Sequence, residues 1–199
     1  AAAARLIFHG RSTHPGAAKN KMINANLLAC EFNALLPSWE TPEHTEGREG
    51  FYHLVSLSGG CERAEAVYII RDHNRERFEE RKARIGQAAD WIRNRYGRDT
   101  VEVHLKDSYY NMEEKIRPHR HLIDHACEAM EAVGITPVID PIRGGTDGAA
   151  LSFRGLPCPN LGTGGYNYHS RYEYASIPEM EKVVKLILKL VQIYAEKGC

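Results

Sequence analysis

In the first half of the chain two hydrophobic periods alternate in a set order, and that order restricts the fold more than any single residue. Arg5 to His9 (RLIFH) reads as a short strand. From about Asn20 to Leu36 apolar residues recur at helical spacing, with Ile23, Leu27, Cys30 and Ala34 on one face and Phe32 and Leu35 broadening it. Pro37 ends that helix, and Ser38 to Gly50 is an acidic, polar loop. Phe51 to Leu57 and Ala64 to Arg71 are strand-like runs on either side of Gly59-Gly60, the pattern of a hairpin. Asn74 to Tyr96 is helical, with Phe78, Ile85, Ala89 and Ile92 inward and a solvated Arg/Glu face outward. Thr100 to Leu105 alternates as a strand. Strand, helix, strand, strand, helix, strand predicts a ferredoxin-like α+β domain over residues 1–107, its helices on one sheet face.

Residues 108–199 follow a different plan. Ser108 to Pro118 is a polar, aromatic connection. His119 to Val133 reads as a helix with Leu122, Ala126, Ala129 and Val133 on one face, closed by Gly134. Ile135 to Ile139 reads as a strand, and Ala149 to Phe153 is short and apolar. The final helix, Ile177 to Glu196, starts with a capping box of Ser176 and Glu179 and carries a stripe of Met180, Val183, Ile187, Val191 and Tyr194. Alternating helix and strand suggests edge elements of an α/β sheet whose remaining strands lie elsewhere. Without those neighbours the stripe of the last helix stays exposed, a patch that recruits a partner or aggregates.

Composition removes several classes. Twenty-six basic residues balance 26 acidic ones, so there is no electrostatic case for a nucleic-acid partner. No apolar run reaches the ~18 residues that a membrane span needs. The opening four alanines lack the charged region, apolar core and cleavage site of a signal peptide, and read as the edge of a truncated chain. Cys30, Cys61, Cys127, Cys158 and Cys199 form no CxxC pair, so neither a thiol-clasped zinc nor a redox motif is supported, and the odd count favours reduced, cytoplasmic thiols.

Chemistry concentrates between Pro141 and Tyr174 (PIRGGTDGAALSFRGLPCPNLGTGGYNYHSRYEY). Its glycines permit tight turns and close backbone approach, and binding residues favour loops held by a scaffold. His169, after a Gly-Gly turn and near Glu173, is a candidate metal ligand or a loop histidine bonded to a carbonyl. Arg143 precedes Gly144-Gly145-Thr146-Asp147-Gly148. It is suited to clamping a carboxylate bidentately, or to pairing with Asp147. Neither GGTDG nor GTGG at Gly162–Gly165 is a nucleotide-binding loop. Outside this stretch, His14 is either a donor to a developing oxyanion or a turn cap. Arg71 either pairs with Asp72 or reaches a ligand. His121 and His125 lie four apart, but Leu122 replaces the glutamate of a zinc-binding HExxH helix, and a polar helix surface is the favoured reading there.

The segments STHPGAAKNKMINA, EGREGFYHL, IIRD, DSYYNM, PIRGGTDGA, LPCPNL and GGYNYH together resemble the tripeptide aminopeptidases of the M20 metallopeptidase family. The resemblance covers nearly all the chain after the alanines. It implies a smaller lid, or dimerisation, domain followed by a C-terminal segment (108–199) of a catalytic α/β domain that carries two zinc ions. It implies that His169 is a terminal zinc ligand and that His14 reaches the active site to stabilise the tetrahedral intermediate. Arg143 and Arg71 become substrate-binding residues at the C-terminal carboxylate of a tripeptide, with Asn111 in the same pocket. The remaining zinc ligands and the general-base glutamate fall upstream of this sequence, so the chain alone is expected to be inactive. Two alternatives stand beside it: a dimerisation module without catalysis, with homodimers formed through the lid, and another M20 activity such as a dipeptidase or deacylase.

Overall fold

The computed structural model describes residues 1–197; Cys199, one of the expected thiols, lies outside them. The chain divides into two compact units. One comprises Ala1–Asn111 with Pro141–Gly145, and the other Met112–Asp140 with the chain from Thr146 onward.

The first unit contains β1 (Ala2–His9), α1 (Ala25–Ala34), β2 (Phe51–Gly59), β3 (Arg63–Arg71), α2 (Arg75–Tyr96) and β4 (Val101–Asp107). The strands form one antiparallel sheet in the order β2-β3-β1-β4. Along β3 the alternate residues Ala64, Ala66, Tyr68 and Ile70 are buried, as period-two side chains over a core require. Both helices bury their apolar faces in that same core. Here the opening alanines take a role that sequence reading missed. Ala2 to Ala4 pair with Ile70 to Tyr68 on one side and Asp107 to Leu105 on the other, and Ala2 and Ala4 are 2% and 0% exposed. They begin β1. Alanine carries little strand signal of its own, so β1 appeared to start at Arg5.

Helix α1 is also corrected. Asn20 has φ 59°, which takes it out of a right-handed helix, and the helix begins only after Asn24, whose Oδ1 accepts from the Asn26 amide at 3.0 Å. Counted from there, Ala25, Leu28, Ala29 and Phe32 face the core, while Leu27 is 65% exposed and Cys30 is exposed. Phe32 meets the Phe8 ring edge-on at 5.7 Å and the Tyr68 ring at 5.9 Å. Helix α2 follows expectation: Asn74 caps it, and Phe78, Ile85, Ala89 and Ile92 are buried.

The second unit contains α3 (Glu113–Ile116), α4 (His121–Ala132), α5 (Asp147–Phe153), the two-residue strands β5 (Gly165–Tyr166) and β6 (Tyr174–Ala175), and α6 (Ile177–Lys197). Helix α4 packs on α6 through Ala129, Leu186 and Ile193, flanked by Met130, Val133, Ile135 and Leu190. Gly134, at φ 75°, lets the chain leave α4. The strand expected at Ile135–Ile139 is irregular, and Val138 is 73% exposed. Pro137 removes a ladder donor in mid-run, and among the described residues no strand pairs with this one. The β5-β6 pair is the only sheet of this unit among the described residues, so the expected α/β edge does not form here. The capping box fails on one arm. The Ser176 amide donates to Gly164 O at 2.8 Å, and Glu179 accepts instead from Tyr166 Oη at 2.8 Å. The stripe of α6 divides as well: Val183 and Tyr194 lie on the packed side, whereas Met180, Ile187 and Val191 are exposed.

Candidate functional site

Arg71 ends β3, and the sequence-favoured pair with Asp72 does not form. Consecutive residues leaving a strand project to opposite sides. Asp72, its side chain 1% exposed, accepts from Arg81 Nε at 3.0 Å and from the Asn74 amide at 2.9 Å. Arg81 also pairs with Glu40. Released from Asp72, Arg71 donates through Nη1 to the Tyr109 hydroxyl and, at 2.8 Å, to the carbonyl of Arg143. Burial raises the Tyr109 phenol above its ordinary value, against the opposing charge of Arg71. A Cβ at Gly145 would come within 2.7 Å of the Tyr109 ring, which accounts for the glycine there.

Arg143 reaches the Ser38–Gly50 loop. Its Nη1 donates to Thr45 O at 2.6 Å, and its Nη2 to Thr45 Oγ1 at 2.8 Å and Glu49 O at 3.1 Å. The guanidinium lies over the Phe51 ring at 5.1 Å, and its Nε is buried without a partner. Thus Arg71 and Arg143, singled out separately in the sequence, are joined through one backbone carbonyl. Tyr109 and Thr45 complete the group and were missed. Tyr109 had a signal in the DSYYNM segment; Thr45 lay in a loop without periodicity. Asn111, exposed, ends the same unit.

His14 is exposed and caps a short 3-10 turn, Pro15–Ala17, its Nδ1 accepting from the Gly16 amide at 3.1 Å. With Nδ1 an acceptor, the neutral ring carries its proton on Nε2. The turn-cap reading therefore holds, and it leaves an imidazole N–H for donation.

In the second unit, Thr146 Oγ1 accepts from the Ala149 amide at 3.2 Å and so starts α5. A Cβ at Gly148 would meet Cys158 O at 2.5 Å. His169 sits in the loop between β5 and β6, exposed and at φ 64°. Glu173 accepts from the His169 backbone amide at 3.0 Å, so it shapes the loop rather than orienting the imidazole. Tyr166 and Tyr174 stack at 5.0 Å across the base of that loop. Zinc needs three or four ligands, and among the described residues no three His, Cys, Asp or Glu side chains converge to hold a metal. Those residues do not by themselves make a zinc site. Nor is any helix among them long and apolar enough to cross a membrane.

An antiparallel four-stranded sheet with two helices in one core defines an α+β class of lid-like domain. Residues 1–100 match the family described as the peptidase dimerisation domain, and the chain belongs to this family of the M20 peptidases. It aligns closely with bacterial Peptidase T sequences: that of Bacillus cereus (strain Q1) is 53% identical over 198 residues, covering 100% of this chain and 48% of its own length. The chain thus spans about half the length of the curated relatives it matches. Among solved structures, a tripeptidase from Staphylococcus aureus subsp. aureus Mu50 superposes with a TM-score of 0.79 at 18% identity, covering 98% of this chain and 52% of that one. A hydantoinase/carbamoylase family amidase from Burkholderia vietnamiensis gives 0.72 at 14% identity, covering 98% and 47%. At such identities these two likenesses speak for the fold alone.

Proposed function

We propose that the chain is the ferredoxin-like lid domain (1–107) and a C-terminal catalytic-domain segment (108–199) of a cytoplasmic zinc aminopeptidase that removes the N-terminal residue of tripeptides. The alignment with Peptidase T over the whole chain carries this reading; the joined Arg71–Tyr109–Arg143 group supports it. In the parent protein Arg143 and Arg71, with Asn111, bind the substrate's C-terminal carboxylate. His14 presents Nε2–H to the oxyanion of the tetrahedral intermediate. His169 contributes one zinc ligand, and the other ligands of two zinc ions come from outside this chain.

A second reading, a dimerisation module forming homodimers through residues 1–107, is favoured by the family match itself. A third reading is another M20 hydrolase activity, such as that of a dipeptidase or deacylase. The readings separate experimentally. The purified chain supplied with zinc is expected to show no tripeptide hydrolysis, whereas the parent protein hydrolyses tripeptides ahead of dipeptides and N-acyl amino acids. Turnover by a chain preparation shown by intact mass to contain no longer protein would sink the fragment reading. A parent that prefers N-acyl substrates would move the assignment to a deacylase.

A further inference from the structure

Thr45 engages Arg143 as a carboxylate would. Its carbonyl oxygen lies 2.6 Å from Nη1 and its hydroxyl oxygen 2.8 Å from Nη2, one oxygen on each terminal nitrogen, the end-on fork by which carboxylates meet a guanidinium. The Thr45 hydroxyl gives its own proton to Thr41 O at 2.8 Å, which turns a lone pair towards the arginine. The Glu49 carbonyl accepts a further hydrogen bond from Nη2 at 3.1 Å. The substitution is incomplete, because the buried Nε has no acceptor and every oxygen in the fork is neutral.

We propose that the Thr41–Gly50 loop is a strap over the Arg143 clamp, with Thr45 holding the place of a substrate carboxylate and leaving when one binds. The proposal rests on the reading of Arg143 as the carboxylate-binding residue. An ionised acceptor forms a hydrogen bond roughly twice as strong as a neutral one, so a carboxylate wins the exchange and a neutral ligand end does not. Part of the loop's bonding is internal and does not depend on Arg143. Its own bonds, Thr41 Oγ1 to His44 Nδ1 at 2.9 Å and the Glu46 amide to Glu49 Oε2 at 2.9 Å, close within it. Thr45 then sets specificity: a substrate with a free C-terminal carboxylate displaces the strap, and one with a blocked end meets it in place.

The test uses the full-length parent protein with a tripeptide and its C-terminal amide. Wild type is expected to favour the free acid. Thr45→Val, which removes one oxygen of the fork, is expected to lower the KM of the free acid about fivefold, the worth of about one hydrogen bond. The KM of the amide should move less than about twofold, and Thr45→Ser should match wild type. Hydrogen exchange of residues 41–50 in the wild type should quicken on saturation with a dipeptide acid and not with its amide. That measurement decides the matter if the valine variant does not fold. Equal KM shifts for both substrates, or exchange that ignores the acid, would overturn the strap while leaving the clamp intact. A wild type indifferent to acid and amide would overturn the clamp reading, and the strap with it.

Discussion

Burial holds His73 below its ordinary value of 6.5; Asp72 opposes this, and Arg48 and Arg143 act with the burial. The unfolded chain therefore takes up the proton first as pH falls. The stability tied to the neutral ring is fully present above 6.5 and is lost as pH drops from 6.5 towards the native value. His73 should titrate below 6.5 by NMR, and His73→Gln should lose less stability than wild type between pH 7.5 and 5.5. A midpoint at or above 6.5 would refute this. The same cluster shows what single residues disclose. Arg143 and Arg71 stand out because an arginine beside glycines, or at a strand end, calls for a partner. The partners themselves, Tyr109 and Thr45, lie 38 and 98 positions away, a separation that local spacing does not encode.

At the scale of elements, the hairpin of β2 and β3, helix α2 and strand β4 were legible because each repeats its period for two turns or several alternations. Helix α1 was legible as a helix, but not in phase. Its start was placed five residues early, and the face taken as inward was the wrong one. The difference is measurable by chemical denaturation. Phe32→Ala, deleting a ring packed on Phe8 and Tyr68, should cost about 4 kcal/mol. Leu27→Ala, on the face that periodicity favoured, should stay within about 0.5 kcal/mol. Comparable costs at the two sites would return α1 to its sequence-based phase. The strand expected at Ile135–Ile139 fails for a different reason: a β-branched run forms a strand only where another strand offers its hydrogen bonds.

For the whole chain the decisive feature is α6. Leu186 and Ile193 are buried against α4, while Ile177, Met180, Val184, Ile187, Leu188 and Val191 are exposed along the remaining surface. A contiguous apolar face of this kind favours association. The chain should self-associate in light scattering as concentration rises, and Val184→Lys with Leu188→Lys and Val191→Lys should reduce that association. A wild-type chain that stays monomeric at high concentration would count against it. Sequence alone determined the order of elements in the first unit and the apolar face of α2, because periodicity and side-chain type are local properties. Only the tertiary structure decided that three alanines begin a central strand, that α6 leaves three of its five stripe residues uncovered, and that Arg143 grips Thr45. Each of these depends on what stands opposite a residue in space, and the chain reaches that neighbour only by folding.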